Sequence, residues 1–372
     1  MSCLNDEEEL LHLIALGMAP SFGPVRINTL IEKFGNAREV FRQSISDICQ
    51  VTGLPVGLVK GIGNPKLFRL AEKELRFIDQ HQICCLTRND PNYPAMLAEC
   101  SDSPPLLYHR GRLGLNCTQR LSVVGTRKAS SYGRDNTRRI IAELAELVDD
   151  LVIVSGLAYG IDIMAHRAAL EFGLATIAVL AHGFSTLYPQ AHRETAERIT
   201  SQGALVSDFP STMGPEKNNF LRRNRIIAGW SEATLVVESP SSGGAMITAH
   251  LASSYGRELM AVPGRTEDRR SRGCNALIKE PRAQLVESGA DIASSLNWAS
   301  RQASDSAGRP PARPDGPEQL ILQLIEEKPG IHPELIAQYS KKPIHELMAL
   351  LSQWELEGRL SVDPGMRYRL RT

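Results

Sequence analysis

The order of apolar and polar positions divides the chain into three blocks. From Glu7 to Leu16 apolar residues recur at helical spacing. A second helix follows Phe22-Gly23-Pro24-Val25-Arg26 and ends near Phe34-Gly35, and the segment Gly53-Leu54-Pro55 to Gly61 repeats the small-residue turn. Residues 1–80 are therefore expected to form a helical module. Paired helices with glycine at the turn can hold a phosphate on the backbone N–H groups of a helix start. They can equally be a plain packing unit, and the pattern leaves both readings open.

Residues 81–300 change period. Short β-branched runs alternate with helical segments: Leu121–Val124, Leu151–Val154, Thr176–Leu180, Ala204–Val206, Thr234–Val237 and Glu258–Val262. Continuous apolar strands separated by helices predict an α/β domain with a mostly parallel sheet buried on both faces. Several runs end in small or polar residues: Gly125-Thr126-Arg127, Ser155-Gly156-Leu157, and Glu238 followed by Ser241-Ser242-Gly243-Gly244. Ligands of open α/β sheets bind at the carboxyl ends of the strands, so these residues are expected along one rim.

Arg301 to Pro317 has no periodicity and is rich in Pro, Ser, Arg and Gly, which predicts a linker. Residues 318–372 then read as three helices and a hairpin. The helices are Gln319 to Glu327, a second after His332-Pro333, and a third from Pro343 with Leu347, Leu350, Leu351 and Leu356 on one face. Arg359–Val362 and Met366–Leu370 flank an Asp363-Pro364-Gly365 turn. The order suggests a winged helix, a fold that often reads DNA through its third helix. Here that helix carries His345, Glu346, Glu355 and Glu357 and lacks a basic face, which favours a protein contact.

Composition narrows the function. Lys plus Arg and Asp plus Glu are both 42 in 372 residues, so any nucleic-acid binding must come from a local patch. No run approaches the ~20 apolar residues that span a bilayer. The acidic Met1–Leu10 lacks the basic start of a signal peptide. The seven cysteines include adjacent Cys84-Cys85 and no C-x-x-C pair. That argues against a zinc site or disulfide framework and for a reducing cytoplasm, with no metal or cofactor expected.

The most informative stretch is Phe220-Leu221-Arg222-Arg223-Asn224-Arg225-Ile226-Ile227-Ala228-Gly229. A helix that begins cationic and turns apolar is expected to start at a surface or cleft and end in a core. Arginine forks suit phosphate, and Lys217 and Phe220 add a point charge and a stacking ring, the ingredients of a single-stranded nucleic-acid site. The alternative is a set of arginines paired with the protein's own carboxylates. The turn after Val124 places Gly125, Arg127 and Lys128 before a helix start, where an anion would sit. It is neither a G-x-G-x-x-G nor a Walker loop. Ser155 and Gly156 form a second turn, which a tight strand-to-helix connection also explains. Asp162 has two readings, a catalytic group or, the favoured one, a residue that caps or pairs locally near Arg167; the same ambiguity covers His166, which shares its helix face, but no third metal ligand suggests itself. Gly243 and Gly244 would let backbone donors reach an anion. No nucleophile elbow, Ser/His/Asp set or paired carboxylates are evident.

These motifs, in this order, resemble the DNA-processing protein A family (DprA, also called Smf). The resemblance rests on VGTRKASSYG, SGLAYGIDIMAHRAAL, Tyr188-Pro189 after an apolar strand, FLRRNRIIAG, SSGGAMITA, MAVPG and Gly273-Cys274-Asn275-Ala276-Leu277-Ile278. It covers nearly all of the middle block. It implies an extended Rossmann-like central domain that binds single-stranded DNA, flanked by an N-terminal helix-hairpin-helix or SAM-like module and a C-terminal winged helix. It further implies loading of the RecA recombinase during natural transformation, relief of the block from single-strand-binding protein, a homodimer and no enzymatic activity. By position it marks Arg127, Lys217, Phe220, Arg222, Arg223 and Arg225, with Ser155-Gly156 and Gly243-Gly244 lining the same pocket. The chain departs from the family pattern at Leu221, where proline is usual, at Ser207-Asp208 in place of Ser-Glu, and at Gly244-Ala245-Met246.

The competing reading is a nucleotide-binding enzyme similar to phosphoribohydrolases of the lysine-decarboxylase-like type. Those carry a catalytic glutamate after their glycine loop. Ser242 to His250 has none at that reach.

Overall fold

The computed structural model describes residues 6–298 apart from Thr118, and residues 321–370 apart from 323, 326, 327, 329, 341, 358, 364 and 365. The expected linker Arg301–Pro317 lies outside these residues, as do Pro364-Gly365 and parts of the helix expected at Gln319–Glu327. The chain divides into two compact units, Met1–Gln302 and Ala303–Thr372.

The first unit is built on a nine-stranded sheet. Its strands are β1 (Cys84–Thr87), β2 (Leu106–Gly111), β3 (Arg120–Val124), β4 (Val152–Ser155), β5 (Ala175–Val179), β6 (Ala204–Ser207), β7 (Ala233–Val236), β8 (Glu258–Ala261) and β9 (Gln284–Leu285). Their spatial order is β1-β2-β6-β5-β4-β3-β7-β8-β9. From β6 to β9 all pairs are parallel, while β2 pairs antiparallel with both β6 and β1. All six strands expected from the apolar runs are present, and β1, β2 and β9 extend the sheet at its two edges.

The continuous apolar runs follow from burial on both faces. In β3, Val123 packs with Ile140, Ile141 and Leu144, while its neighbour Val124 packs with Ile226, Ile227 and Trp230 on the other side. Burying each such side chain contributes about 1.5–3 kcal/mol. The strand order reverses between β4 and β7 on the two sides of β3, which creates the crevice where open sheets bind ligands.

The N-terminal helices Glu7–Gly17, Pro24–Phe34 and Lys66–Gln80 enclose Leu10, Leu13, Leu30 and Ala71. Asp6 caps the first through the Glu9 N–H, and Pro24 opens the second, where its missing N–H costs nothing. Their core is continuous with Cys85 of β1 and Leu106 and Tyr108 of β2. Glu74 is buried and accepts hydrogen bonds from the Ser211 N–H at 2.7 Å and hydroxyl at 2.6 Å, tying the module to the segment after β6. Burial raises its carboxyl pKa.

In the second unit, helices Pro333–Ser340 and Ile344–Leu356 and an antiparallel pair, β10 (Leu360–Asp363) and β11 (Arg367–Leu370), share a core of Ile336, Leu347, Leu351, Trp354 and Tyr368. Leu356, expected on the apolar face, is 90% exposed. Nine residues at about 100° each carry it to the side of the helix opposite Leu347. Among the described residues no helix is long and apolar enough to cross a membrane.

Candidate nucleic-acid interface

At the carboxyl ends of β3 and β7 lies a cleft of about 530 Å³. Its walls are Gly125-Thr126-Arg127 after β3, Ser239-Pro240 and Gly243-Gly244 after β7, and the helix Lys217–Trp230. Ala158 and Asp162 close it from the turn after β4. Backbone contacts fix the turns against each other. The Thr126 N–H donates to the Glu238 carbonyl at 2.7 Å, and the Ile161 N–H donates to the Thr126 carbonyl at 3.2 Å. Gly160, at φ +80°, approaches so closely that a Cβ would lie 2.1 Å from the Thr126 oxygen. Gly243, at φ +148°, adopts a conformation that other residues rarely take, and a Cβ there would meet nothing within 4 Å. The glycine wall is therefore open on the side of the cleft.

The cleft's accessible chemistry is cationic and aromatic. Lys217 and Arg127 are exposed, and the Arg127 guanidinium lies 4.7 Å above the Phe220 ring. Tyr188, 41% exposed, meets the Phe220 ring edge-on at 5.8 Å. Phe220 is half-buried and so presents a ring at the surface rather than filling a core.

Arg223 forms the floor. It is buried, donates from Nη1 to the Val179 carbonyl at 2.8 Å, and leaves Nε without a partner. Burial pushes its pKa down to about 10, against the attraction of Asp162. Burial raises the Asp162 carboxyl, opposed by Arg223 and by backbone hydrogen bonds at Ala158 and Gly156. His166 accepts from the Leu157 N–H through Nε2 at 3.3 Å and meets the Thr176 hydroxyl through Nδ1 at 2.7 Å. Burial, with Arg223 nearby, pushes its pKa down to about 3.

The expected single pocket of five cations is only partly assembled. Arg127, Lys217 and Arg223 share the cleft with Phe220, Asn224, Gly125, Gly243 and Gly244. Arg222 does not. It lies over the Phe209 ring at 4.9 Å and lines a separate groove beside Phe22 and Lys73. Arg225 is buried, paired with the Asp208 carboxylate and bonded to the Asp102 carbonyl. Successive helical positions differ by about 100°, which sends neighbouring arginines to different surroundings. Ser155 is spent in the sheet, donating to the Val123 carbonyl at 2.6 Å, and Gly156 makes room for Arg223, whose Nη1 would be 1.6 Å from a Cβ. Lys128 is exposed outside the cleft lining. Asn224 donates to the Gly244 carbonyl at 3.3 Å, bracing the glycine wall. Asp162 faces Arg223 rather than Arg167, whose Nε points to the Thr195 hydroxyl.

Two contributors were not anticipated. Glu238, buried at the end of β7, accepts from the Ser130 N–H at 2.8 Å and hydroxyl at 2.7 Å, and so holds the β3 turn against the β7 turn. Its one sequence signal is a lone carboxylate ending an apolar run. Tyr188 joins Phe220 from a loop 32 positions earlier, a juxtaposition that only the fold creates. Among the described residues no group of three or more His, Cys, Asp or Glu could hold a metal ion.

Residues 84–297 match the sequence profile of a family described as DNA recombination-mediator protein A. Protein Smf of Synechocystis sp. is 30% identical over 98% of this chain and 99% of its own length. The structure of DNA processing protein A from Streptococcus pneumoniae superposes with a TM-score of 0.65 at 31% identity, covering 79% of this chain and 98% of that one. DNA processing protein A from Helicobacter pylori, described for its single-stranded DNA binding mode, superposes with a TM-score of 0.52 at 28% identity over 58% of this chain and 96% of its own. The sheet, the cleft at its reversal point and these matches together place the chain in the DNA recombination-mediator protein A family.

Proposed function

We propose that the cleft binds single-stranded DNA, and that the protein acts in recombination by protecting incoming strands and delivering them to the RecA recombinase. The observation that carries this reading is Arg127 stacked on Phe220 beside Lys217, in front of an open glycine wall. Cations that follow a backbone beside rings that accept any base are the chemistry of sequence-tolerant strand binding. The Helicobacter pylori relative, described for its single-stranded DNA binding mode, supports it. RecA, single-strand-binding protein and a second copy of the chain enter as partners through the family. The C-terminal unit fits a protein contact better than a DNA-reading winged helix: Leu335, Tyr339, Ile344 and Leu356 are exposed, alongside Glu346, Glu355 and Glu357.

The enzymatic alternative needs a carboxylate poised on the glycine-loop helix. Gly244, Ala245 and Thr248 are the residues of that helix that line the cleft. Asp162, the carboxylate in the lining, is drawn to Arg223 and to backbone hydrogen bonds. Titrating single-stranded and duplex DNA over a salt series tests the proposal. Single strands should bind more tightly, with log affinity falling by about 0.7 per neutralised phosphate per log unit of salt. Preference for duplex, or turnover of nucleoside monophosphates, would overturn it.

A further inference from the structure

The loop after β8 supplies no lining residue to the cleft, yet it is a basic exposed segment at the same rim. From Arg265 to Arg272 it carries four arginines against two carboxylates, Glu267 and Asp268, and all four arginines are exposed. Asp268 is engaged within the loop, accepting from Arg270 through its N–H at 2.9 Å and Nε at 3.3 Å. The side chains of Arg269 and Arg272 make no hydrogen bond or ion pair among the described residues.

Both ends of the loop are fixed. β8 runs parallel to β7, with Val236 opposite Ala261, so the loops after the two strands leave the sheet side by side. The Gly273 N–H donates to the Ser239 carbonyl at 2.8 Å, and a Cβ at Gly273 would lie 2.4 Å from the Pro240 oxygen. The far end therefore sits directly on the cleft wall. At the near end the Asn275 side chain bonds both the N–H and the carbonyl of Gly264, at 3.0 and 2.9 Å. The Tyr132 hydroxyl donates to the Pro263 carbonyl at 2.7 Å, holding a ring that is 47% exposed across the strand end.

We propose that this loop is a second single-strand contact, continuing the DNA path out of the cleft along the sheet rim. Arg265, Arg269 and Arg272 take phosphates, and Tyr132 offers a stacking face. Arg270, tied to Asp268, is a positioning residue. The pairing of arginine forks with an exposed ring repeats the chemistry of the cleft. The inference rests on the reading of the cleft as a strand site.

The test titrates the full-length protein and an Arg265→Ala/Arg269→Ala/Arg272→Ala variant with oligonucleotides of about 4 to about 16 nucleotides, the span of single-strand site sizes. The variant should match the wild type on the shortest strands and lose roughly ten-fold or more on the longest. Its salt slope on those should be shallower by about 0.7 for each contact removed. Tyr132→Leu should show the same length dependence with an unchanged slope. Equal affinity at every length, or an equal loss at every length, would overturn the proposal, as would a loss confined to duplex DNA or to a recombinase-dependent step. Arg127→Ala, by contrast, should weaken binding at all lengths. If the wild type bound no single strand at all, the cleft reading would fail instead.

Discussion

Replacing Arg225 should destabilise the fold rather than weaken DNA binding by the folded protein. The side chain is 8% exposed and its partner Asp208 only 4%. Arg225 donates to Asp208 Oδ2 and to the Asp102 carbonyl, while Asp208 Oδ1 already lacks a partner. Arg225→Ala would leave a buried carboxylate with no compensating charge, at a cost of about 3–5 kcal/mol. That is a large part of the ~5–15 kcal/mol that stabilises a domain. At about 2–4 °C per kcal/mol, Tm should fall by on the order of 10 °C. Replacing both partners, Arg225→Met with Asp208→Leu, removes the stranded charge and should recover most of the loss. Thermal melts of the three proteins, with single-strand titrations below each Tm, separate the two effects. Unchanged Tm with lost DNA affinity would refute the argument and make Arg225 a phosphate contact.

Three further outcomes are expected. Phe220→Ala should weaken single-strand binding by about 1–3 kcal/mol with little change in Tm, because the ring is half-buried; a large Tm loss with intact affinity would make it a packing residue. Burial holds His166 neutral, its pKa pushed down to about 3, whereas the unfolded chain takes up that proton near pH ~6.5. The stabilisation is thus complete above about pH 6.5 and is lost as pH falls toward 3, so His166→Asn should lose less stability on acidification than the wild type; equal acid slopes would contradict this. A fragment ending at Gln302 contains the entire cleft and should fold and keep most single-strand affinity, a result checked by titrating it beside the full chain; a folded fragment that binds no strand would move the site to the C-terminal unit.

What could be read from the sequence follows the physics of each element. β3 to β8 are visible because burial on both faces demands continuous apolar runs such as Leu121-Ser122-Val123-Val124. β2 is not, since its run ends in His109-Arg110-Gly111 where the strand becomes exposed, and β9 is only two residues long. The glycine turns were legible because tight strand-to-helix connections need them. The arginines were not. Arg222, Arg223 and Arg225 look equivalent in sequence, and their separate fates depend on Phe209, Val179 and Asp208, which other elements supply. The Glu238–Ser130 bridge spans 108 positions and carries no local pattern.

The most direct test of the strand site is photocrosslinking of a single-stranded oligonucleotide bearing a photoreactive base, with adducts mapped by mass spectrometry. A base stacked at the cleft mouth should mark Phe220 and Tyr188, and Arg127→Ala should diminish both adducts together. Adducts confined to residues 318–372, with none around the cleft, would contradict the account.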